Sequence, residues 1–215
     1  MNAGTEREVI VKTLILASHN LGKLEEFRAI AGDYPVRFLG LVDIGFDQDI
    51  DETGSSFDEN ALIKAMAVHR KASEIVVADD TGLCVDALNG APGLYSARYA
   101  GEGKSGVDRM ERLLKELDSA ESPDRSAAFH CSLAVVYPDG RQELYHGLCR
   151  GSITRTPRGD NGFGYDPVFV PDGERRTFAE MSGEEKHAIS HRGLAVRAFL
   201  DAFIDEEGGP PGSDQ

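Results

Sequence analysis

Asp79 and Asp80 are adjacent carboxylates that follow the apolar run Ile75–Ala78 and precede Thr81 and Gly82. Side chains alternate along an extended chain, so the two acids face opposite ways. One can enter a cleft while the other anchors the backbone. The same residue types also make a solvated turn. Partners from other segments decide between these readings. Glu52 precedes Thr53-Gly54 and a capped helix start, as a positioned ligand would, although Asp49 and Asp51 beside it read as a solvated acidic loop. Cations stand in loops or at helix starts: Lys23, Lys64, Arg98, Lys186 and Arg192. Phe163 and Tyr165 flank Gly164 in the run GDNGFGYDP. Such a loop suits stacking on a planar ring, or a hairpin turn whose aromatics pack down. Phosphates need cationic donors, and carboxylates hold Mg²⁺ through a few oxygen bonds while phosphate and water complete the shell. The set points to a nucleotide phosphate bound with Mg²⁺. Hydrolysis is the economical reaction, with a carboxylate beside the metal taking a proton from the attacking water.

These residues need elements to position them. Thr13–Ala17 reads as a buried strand, and Ser18-His19-Asn20-Leu21-Gly22-Lys23 leads into a helix with Leu24, Phe27 and Ile30 at helical spacing and Gly32 as its C-cap. The start of that helix is a ready anion site, to which Lys23 adds a charge. Neither GxxxxGK[ST] nor GxGxxG spacing is present. Val36–Asp43 reads as a second strand. Ser56 and Glu59 form a capping-box pattern for a helix that places Asn60 and Lys64 on one face. The acid pair ends its own short strand, and the chain is expected to turn at Thr81-Gly82. Ser105–Asp118 reads as a helix with Val107, Met110, Leu113, Leu114 and Leu117 inward. Ala128–Tyr137 and Gln142–Ile153 form a hairpin about Pro138-Asp139-Gly140, the second strand interrupted by Gly147 and Gly151. Ser182 and Glu185 form another capping-box pattern before Lys186, His191 and Arg192, and Leu194–Ile204 is an amphipathic helix. Strand–helix units joined to an antiparallel section predict an α/β fold with a mixed sheet. Residues 1–9 are expected to be flexible, 10–204 to form one domain, and the tail from Asp205 to be disordered.

Composition narrows the partners. The chain has 215 residues and a net charge of −14, a poor match for a long polyanion such as a nucleic acid. No apolar run is long enough for a membrane span, and the N-terminus lacks the apolar core of a signal peptide. Cys84, Cys131 and Cys149 are odd in number and widely spaced, which favours buried thiols in a cytoplasmic protein over a disulfide framework or zinc site.

Five separated runs carry a resemblance: ASHNLGKLEE, DETGSSFDENALIKA, ADDTGLCVDALNGAPGLYSARYAG, FGYDPVF and EEKHAISHRG. Together they resemble the signature blocks of the inosine triphosphate pyrophosphatase family, in order, from about Leu14 to about Phe203. The resemblance implies Mg²⁺-dependent hydrolysis of ITP, dITP and XTP to the monophosphate and pyrophosphate, which cleanses the nucleotide pool. It implies an elongated mixed sheet with flanking helices, two lobes around a central cleft, and a homodimer. Position by position, Ser18, His19, Asn20, Leu21, Gly22 and Lys23 match the phosphate loop. Glu52 matches a metal-site carboxylate, and Asp80 the catalytic proton acceptor, also drawn as a metal ligand. Thr81 stands where many relatives have Ser. Phe163, Gly164, Tyr165 and Asp166 match the base-binding loop, and Lys186, His191 and Arg192 match further substrate contacts. Lys64 joins the substrate set as a cation on the helix face beside Asn60. Ser18 stands where Thr is frequent, and His19 where a small residue is.

Two other readings remain. A phosphatase forming an aspartyl-phosphate at Asp79 or Asp80 usually shows a DxDx[TV] strand end, whereas here the acids are adjacent. A nucleotide sensor without turnover needs no catalytic carboxylate, and nothing in the acidic set is degenerate.

Overall fold

The computed structural model describes residues 11–208. The segment 1–9, expected to be flexible, lies outside the described residues. One sheet has the strand order β2-β1-β3-β4-β5-β6. Its strands are β1 Lys12–Leu16, β2 Val36–Gly40, β3 Ile75–Val85, β4 Ser126–Val136, β5 Gln142–Ile153 and β6 Phe169–Pro171. β1 pairs in parallel with β2 and β3, and the later pairings are antiparallel. The helices are α1 Leu21–Ala31, α2 Phe57–His69, α3 Gly106–Ser119, α4 Gly183–Ile189 and α5 His191–Gly208. The expected α/β class with a mixed sheet and flanking helices is what the chain adopts. None of the described helices is long and apolar enough to cross a membrane.

The alternation of strand side chains sorts the core. Leu14, Leu16, Val77 and Leu133 pack on one face against Phe27, Ile30, Phe199 and Phe203 of α1 and α5. Ile15, Ala17, Val76, Ala78 and Ala134 pack on the other against Ala61, Ala65 and Val68 of α2. Farther along, Met110, Leu113 and Leu117 of α3 join Leu83, Phe129, Phe169 and Phe178. Each large apolar side chain buried this way contributes about 1.5–3 kcal/mol. β3 thus carries Val77 in the first cluster and Leu83 in the third, and residues 79–82 span the gap between them.

Several boundaries differ from expectation. β3 does not turn at Thr81-Gly82 but runs on to Val85, laddered to β4 from Val76↔Val136 to Val85↔Ala127. Its pairing with β1 reaches only Leu16↔Val77. Asp79 and Asp80 therefore sit beyond the C-terminal end of β1, in the middle of β3. Gly82 serves close approach: a methyl there would lie 2.3 Å from the Gly93 carbonyl oxygen and 2.7 Å from the Phe57 ring. β5 is likewise continuous. A methyl on Gly147 would lie 1.8 Å from the His191 carbonyl oxygen, and one on Gly151 would lie 2.2 Å from that of Val170. These glycines seat α5 and β6 rather than break the strand. β2 stops at Gly40, and Val42–Ile44 forms a 3₁₀ turn in place of more strand. Val107, expected to face inward, is exposed in the first turn of α3, while Met110, Leu113 and Leu117 are buried. α5 runs to Gly208, past the boundary expected at Asp205.

The starts of α2, α3 and α4 are capped by side chains, and one expected capping box is incomplete. Ser105 with Asp108 and Ser182 with Glu185 make reciprocal capping boxes. Ser56 accepts from the Glu59 amide, but the Glu59 carboxylate turns to the amide and hydroxyl of Ser55.

Candidate active site

The strand alternation at Asp79 and Asp80 becomes two different environments. Asp79 faces α1 and α5. Its Oδ1 accepts from Lys23 Nζ at 2.9 Å, and its Oδ2 accepts from Arg192 Nε at 3.1 Å and Nη2 at 2.9 Å. Burial alone would raise its pKa, but Lys23, Arg192 and Lys64 outweigh burial and hold the carboxyl far below the usual range. Asp80 faces α2. Its Oδ2 accepts from Asn60 Nδ2 at 3.2 Å and its Oδ1 from Lys64 Nζ at 3.2 Å. Here burial prevails, aided by the nearby Glu52, and the carboxyl rises despite Lys64. Neighbouring acids are thereby set apart, one held below the usual carboxylate range by its cations and the other raised by burial.

Glu52 enters from the loop before α2, where its Oε1 accepts from the same Lys64 Nζ at 2.7 Å. Asn60 braces this loop as well, since its Oδ1 accepts from the Gly54 amide at 2.8 Å. The spacing of Asn60 and Lys64 on one face of α2 thus clamps both acids. Burial pulls the Lys64 ammonium down, and Asp80, Asp79 and Glu52 more than reverse this.

A second buried network joins the C-terminal segment to α1. Glu26 pairs with Lys186 at 2.7 Å and with Arg192. Lys186 also donates to Asp166 at 2.7 Å, and Asp166 accepts from the Phe163 amide at 2.8 Å. Gly162, with φ +73°, leaves room for that carboxylate: a methyl there would lie 2.1 Å from Asp166 Oδ2. Burial raises the Asp166 carboxyl even against Lys186. His191 stacks on Phe129 with ring centroids 4.6 Å apart and interplanar angle 8°. Burial holds its pKa well below the usual imidazole value. Its Nδ1 is buried without a hydrogen-bond partner among the described residues.

One cleft gathers most of the expected residues. Asn20, Lys23, Glu52, Asp80, Thr81, Phe163, Gly164, Tyr165, Asp166, Lys186, His191 and Arg192 all line it. The phosphate loop contributes unevenly. Asn20 caps α1 by accepting from the Lys23 amide, Ser18 Oγ accepts from the Asn20 amide, and Leu21 points outward, 64% exposed. His19 Nε2 lies 3.1 Å from the Gln48 carbonyl oxygen, which ties the loop to the acidic stretch. Gly22 leaves room for the capping side chain of Asn20, whose Oδ1 a methyl there would meet at 3.2 Å, while the Phe163 ring lies at ordinary contact distance. Lys64 lies behind the two acids it binds rather than on the cleft wall. The aromatic loop is no hairpin: Phe163 is 39% exposed, while Tyr165 is buried and donates its hydroxyl to the Ser96 carbonyl at 3.0 Å. Of the two aromatics in this loop, Phe163 presents the exposed ring.

Sequence reasoning missed Glu26 as the hub of the second network and Arg109 and Phe129 as cleft residues. Glu26 follows Glu25 in the first half of α1. Its only signal was its position beside Leu24 and Phe27 on the buried side of α1.

The model of the Ham1 family matches residues 14–202. The chain belongs to the Ham1 family. A relative named dITP/XTP pyrophosphatase from Bacillus licheniformis is 46% identical over 196 residues, 91% of this chain and 100% of the relative. Another of that name, from Bacillus subtilis, is 44% identical over 88% of this chain and 96% of the relative. Among solved structures, a HAM1 protein from Coxiella burnetii aligns with TM-score 0.82 at 40% identity, covering 90% of this chain and 99% of that one. The Staphylococcus aureus Ham1 protein aligns with TM-score 0.79 at 41% identity, covering 91% and 100%. The family resemblance read from the five sequence runs is thereby borne out, and the Ham1 fold is the frame in which the two carboxylates of β3 are held.

Proposed function

We propose that this chain hydrolyses non-canonical purine nucleoside triphosphates, ITP, dITP and XTP, to the monophosphate and pyrophosphate, and so cleanses the nucleotide pool. The observation that carries this reading is one cleft holding the raised carboxyl of Asp80, the start of α1 and the exposed ring of Phe163. The relatives named dITP/XTP pyrophosphatase support the substrate class. In this reading the chain works in the cytoplasm as a homodimer, each copy a single two-lobed unit.

Asp80 is the base that takes the proton of the attacking water. A carboxylate raised by burial holds that proton better than an exposed one, which favours general-base work near neutral pH. Asn60 and Lys64 fix its two oxygens. Glu52 and Asp80 would hold Mg²⁺. Their carboxylates converge on one ammonium, Lys64 Nζ, at 2.7 and 3.2 Å, so both can reach a common cation. Among the described residues no cluster of three or more His, Cys, Asp or Glu suits a metal. That donor set fits Mg²⁺, which takes one or two carboxylates and completes its shell with phosphate and water. When bound, the ion would neutralise charge on the phosphates and polarise the reacting phosphorus. The start of α1, with Asn20 and Lys23, receives phosphate, and Thr81 offers its hydroxyl beside Asp80. Phe163 stacks on the base, with Gly164, Tyr165 and Asp166 shaping its seat. Arg192, Lys186 and the unpartnered His191 Nδ1 line the cleft near it.

Selectivity follows from hydrogen bonding. Hypoxanthine and xanthine carry a 6-oxo acceptor where adenine carries an amino donor. A site of donors leaves groups unpaired against adenine, which can be worth about 10⁴-fold. Incubation with Mg²⁺ and ITP, XTP, GTP or ATP, with pyrophosphate and monophosphate measured, tests the whole reading. Equal rates on ATP and ITP would remove the selectivity. Orthophosphate as direct product would remove the pyrophosphatase assignment.

A further inference from the structure

The buried charges of the cleft cancel one another. Lys23, Lys64, Lys186 and Arg192 each lie within ion-pair distance of at least one of Glu26, Glu52, Asp79, Asp80 and Asp166. Those cations are outnumbered by those carboxylates. They fix the architecture but leave no surplus positive charge for a triphosphate.

Arg98 and Arg109 also line the cleft, and neither has a carboxylate within ion-pair distance among the described residues. Arg98 lies at the end of the 3₁₀ segment Gly93–Arg98, its guanidinium carbon 5.4 Å from the centre of the Tyr95 ring. This segment is fixed against β3. The Ser96 hydroxyl accepts from the Leu83 amide at 2.9 Å and donates to the Gly93 carbonyl at 2.6 Å. The Ser96 carbonyl accepts from the buried Tyr165 hydroxyl. Arg109 Nη1 donates to the carbonyls of Ala97 at 3.0 Å and Lys104 at 2.9 Å, which brackets Arg98 from both sides. A free guanidinium is thus held on a rigid segment next to the strand that carries Asp80.

We propose that Arg98 binds the polyphosphate chain of the substrate and supplies the uncompensated positive charge that the buried pairs do not, with Arg109 as the positioning residue that fixes its segment. A guanidinium forks naturally onto phosphate oxygens. This rests on the nucleoside triphosphate reading above.

The test is calorimetric titration, in Mg²⁺, with IMP and with a non-hydrolysable α,β-methylene analogue of ITP. Arg98→Ala weakens the analogue by about 10- to 100-fold, the worth of one charge-assisted hydrogen bond, and leaves IMP unchanged. Arg98→Lys recovers part of the loss, since an ammonium keeps the charge but not the fork. Arg109→Ala lowers the same preference for triphosphate over monophosphate by a smaller factor. Equal weakening of both ligands overturns the proposal by making Arg98 structural. A variant that binds the analogue as tightly as a competent wild-type protein overturns it too, and leaves the nucleotide reading intact. A wild-type protein that binds neither ligand overturns that reading, and this proposal with it.

Discussion

Arg192 donates twice to a single oxygen of Asp79, from Nε and Nη2, and leaves the other oxygen to Lys23. This joins the first turn of α5, the middle of β3 and the first turn of α1 at one buried carboxylate. Arg192 also donates to Thr81 Oγ1 at 3.3 Å, so the same guanidinium reaches the residue after Asp80. Asp79 therefore holds three elements in place around the cleft.

Asp79→Asn should accordingly be a stability variant. Removing one partner of a buried ion pair costs about 3–5 kcal/mol, here softened because Arg192 keeps Glu26. Denaturant melts at neutral pH measure the loss. The sign with pH follows from the depressed carboxyl. Its contribution is fully present above the unfolded value of about 3.9 and is lost as pH falls below it. The gap between wild type and variant should therefore narrow on acidification below that point.

Asp80→Asn should do the opposite. An amide still accepts from one neighbour, and burial already disfavours the charged carboxylate, so the melt stays near wild type. Turnover of ITP falls by about 10²–10⁴-fold if Asp80 is the base. Pyrophosphate release at saturating Mg²⁺ reads this directly, and near-normal rates would take Asp80 out of that role.

Phe163→Ala tests the base seat. The ring is partly exposed and its backbone is held by Asp166, so its loss leaves the loop standing. Stacking on a base is worth about 1–3 kcal/mol, so kcat/KM for ITP should drop by about 5- to 150-fold. Thermal stability should hardly move.

His191→Phe probes acid sensitivity. Burial keeps the folded imidazole neutral, so the unfolded chain takes up a proton that the folded protein refuses. The contribution of His191 to stability is whole above about pH 6.5 and shrinks below it, by at most about 1.4 kcal/mol per pH unit. The nearby charges of Arg192, Lys186 and Lys23 oppose its protonation further, against that of Asp79. Phenylalanine keeps the stack on Phe129 and cannot titrate. Melting temperatures from pH 7 to 5 should fall less steeply in the variant. Parallel slopes would refute the assignment.

Much of this fold was legible because local signals agreed with it. Helical spacing and caps placed α1, α2 and α3, and apolar runs placed β1 and β4. The misreadings share one cause. Gly82, Gly147 and Gly151 looked like turn or break signals, yet each lies within a strand where another backbone comes too close for a side chain. Sequence shows that a glycine is present but not which distant backbone it admits. Glu26 was missed for a related reason: its partners Lys186 and Arg192 stand far along the chain, and only the folded sheet brings them to α1. Tyr165 carried the chemistry of a stacking residue, but its hydroxyl found the Ser96 carbonyl and the ring packed down.

The ladder between β3 and β4 pairs Asp79 with Leu133 and Asp80 with Ser132. A slip of one residue would swap the two acids between the faces of the sheet. The acid that holds Arg192 and Lys23 would then meet Lys64 and Glu52, and the proposed base would be locked among cations. Strand registry thus acts here as a chemical selector. The pairing that gives β3 its place in the sheet also decides which of two identical side chains takes the position of the proposed base.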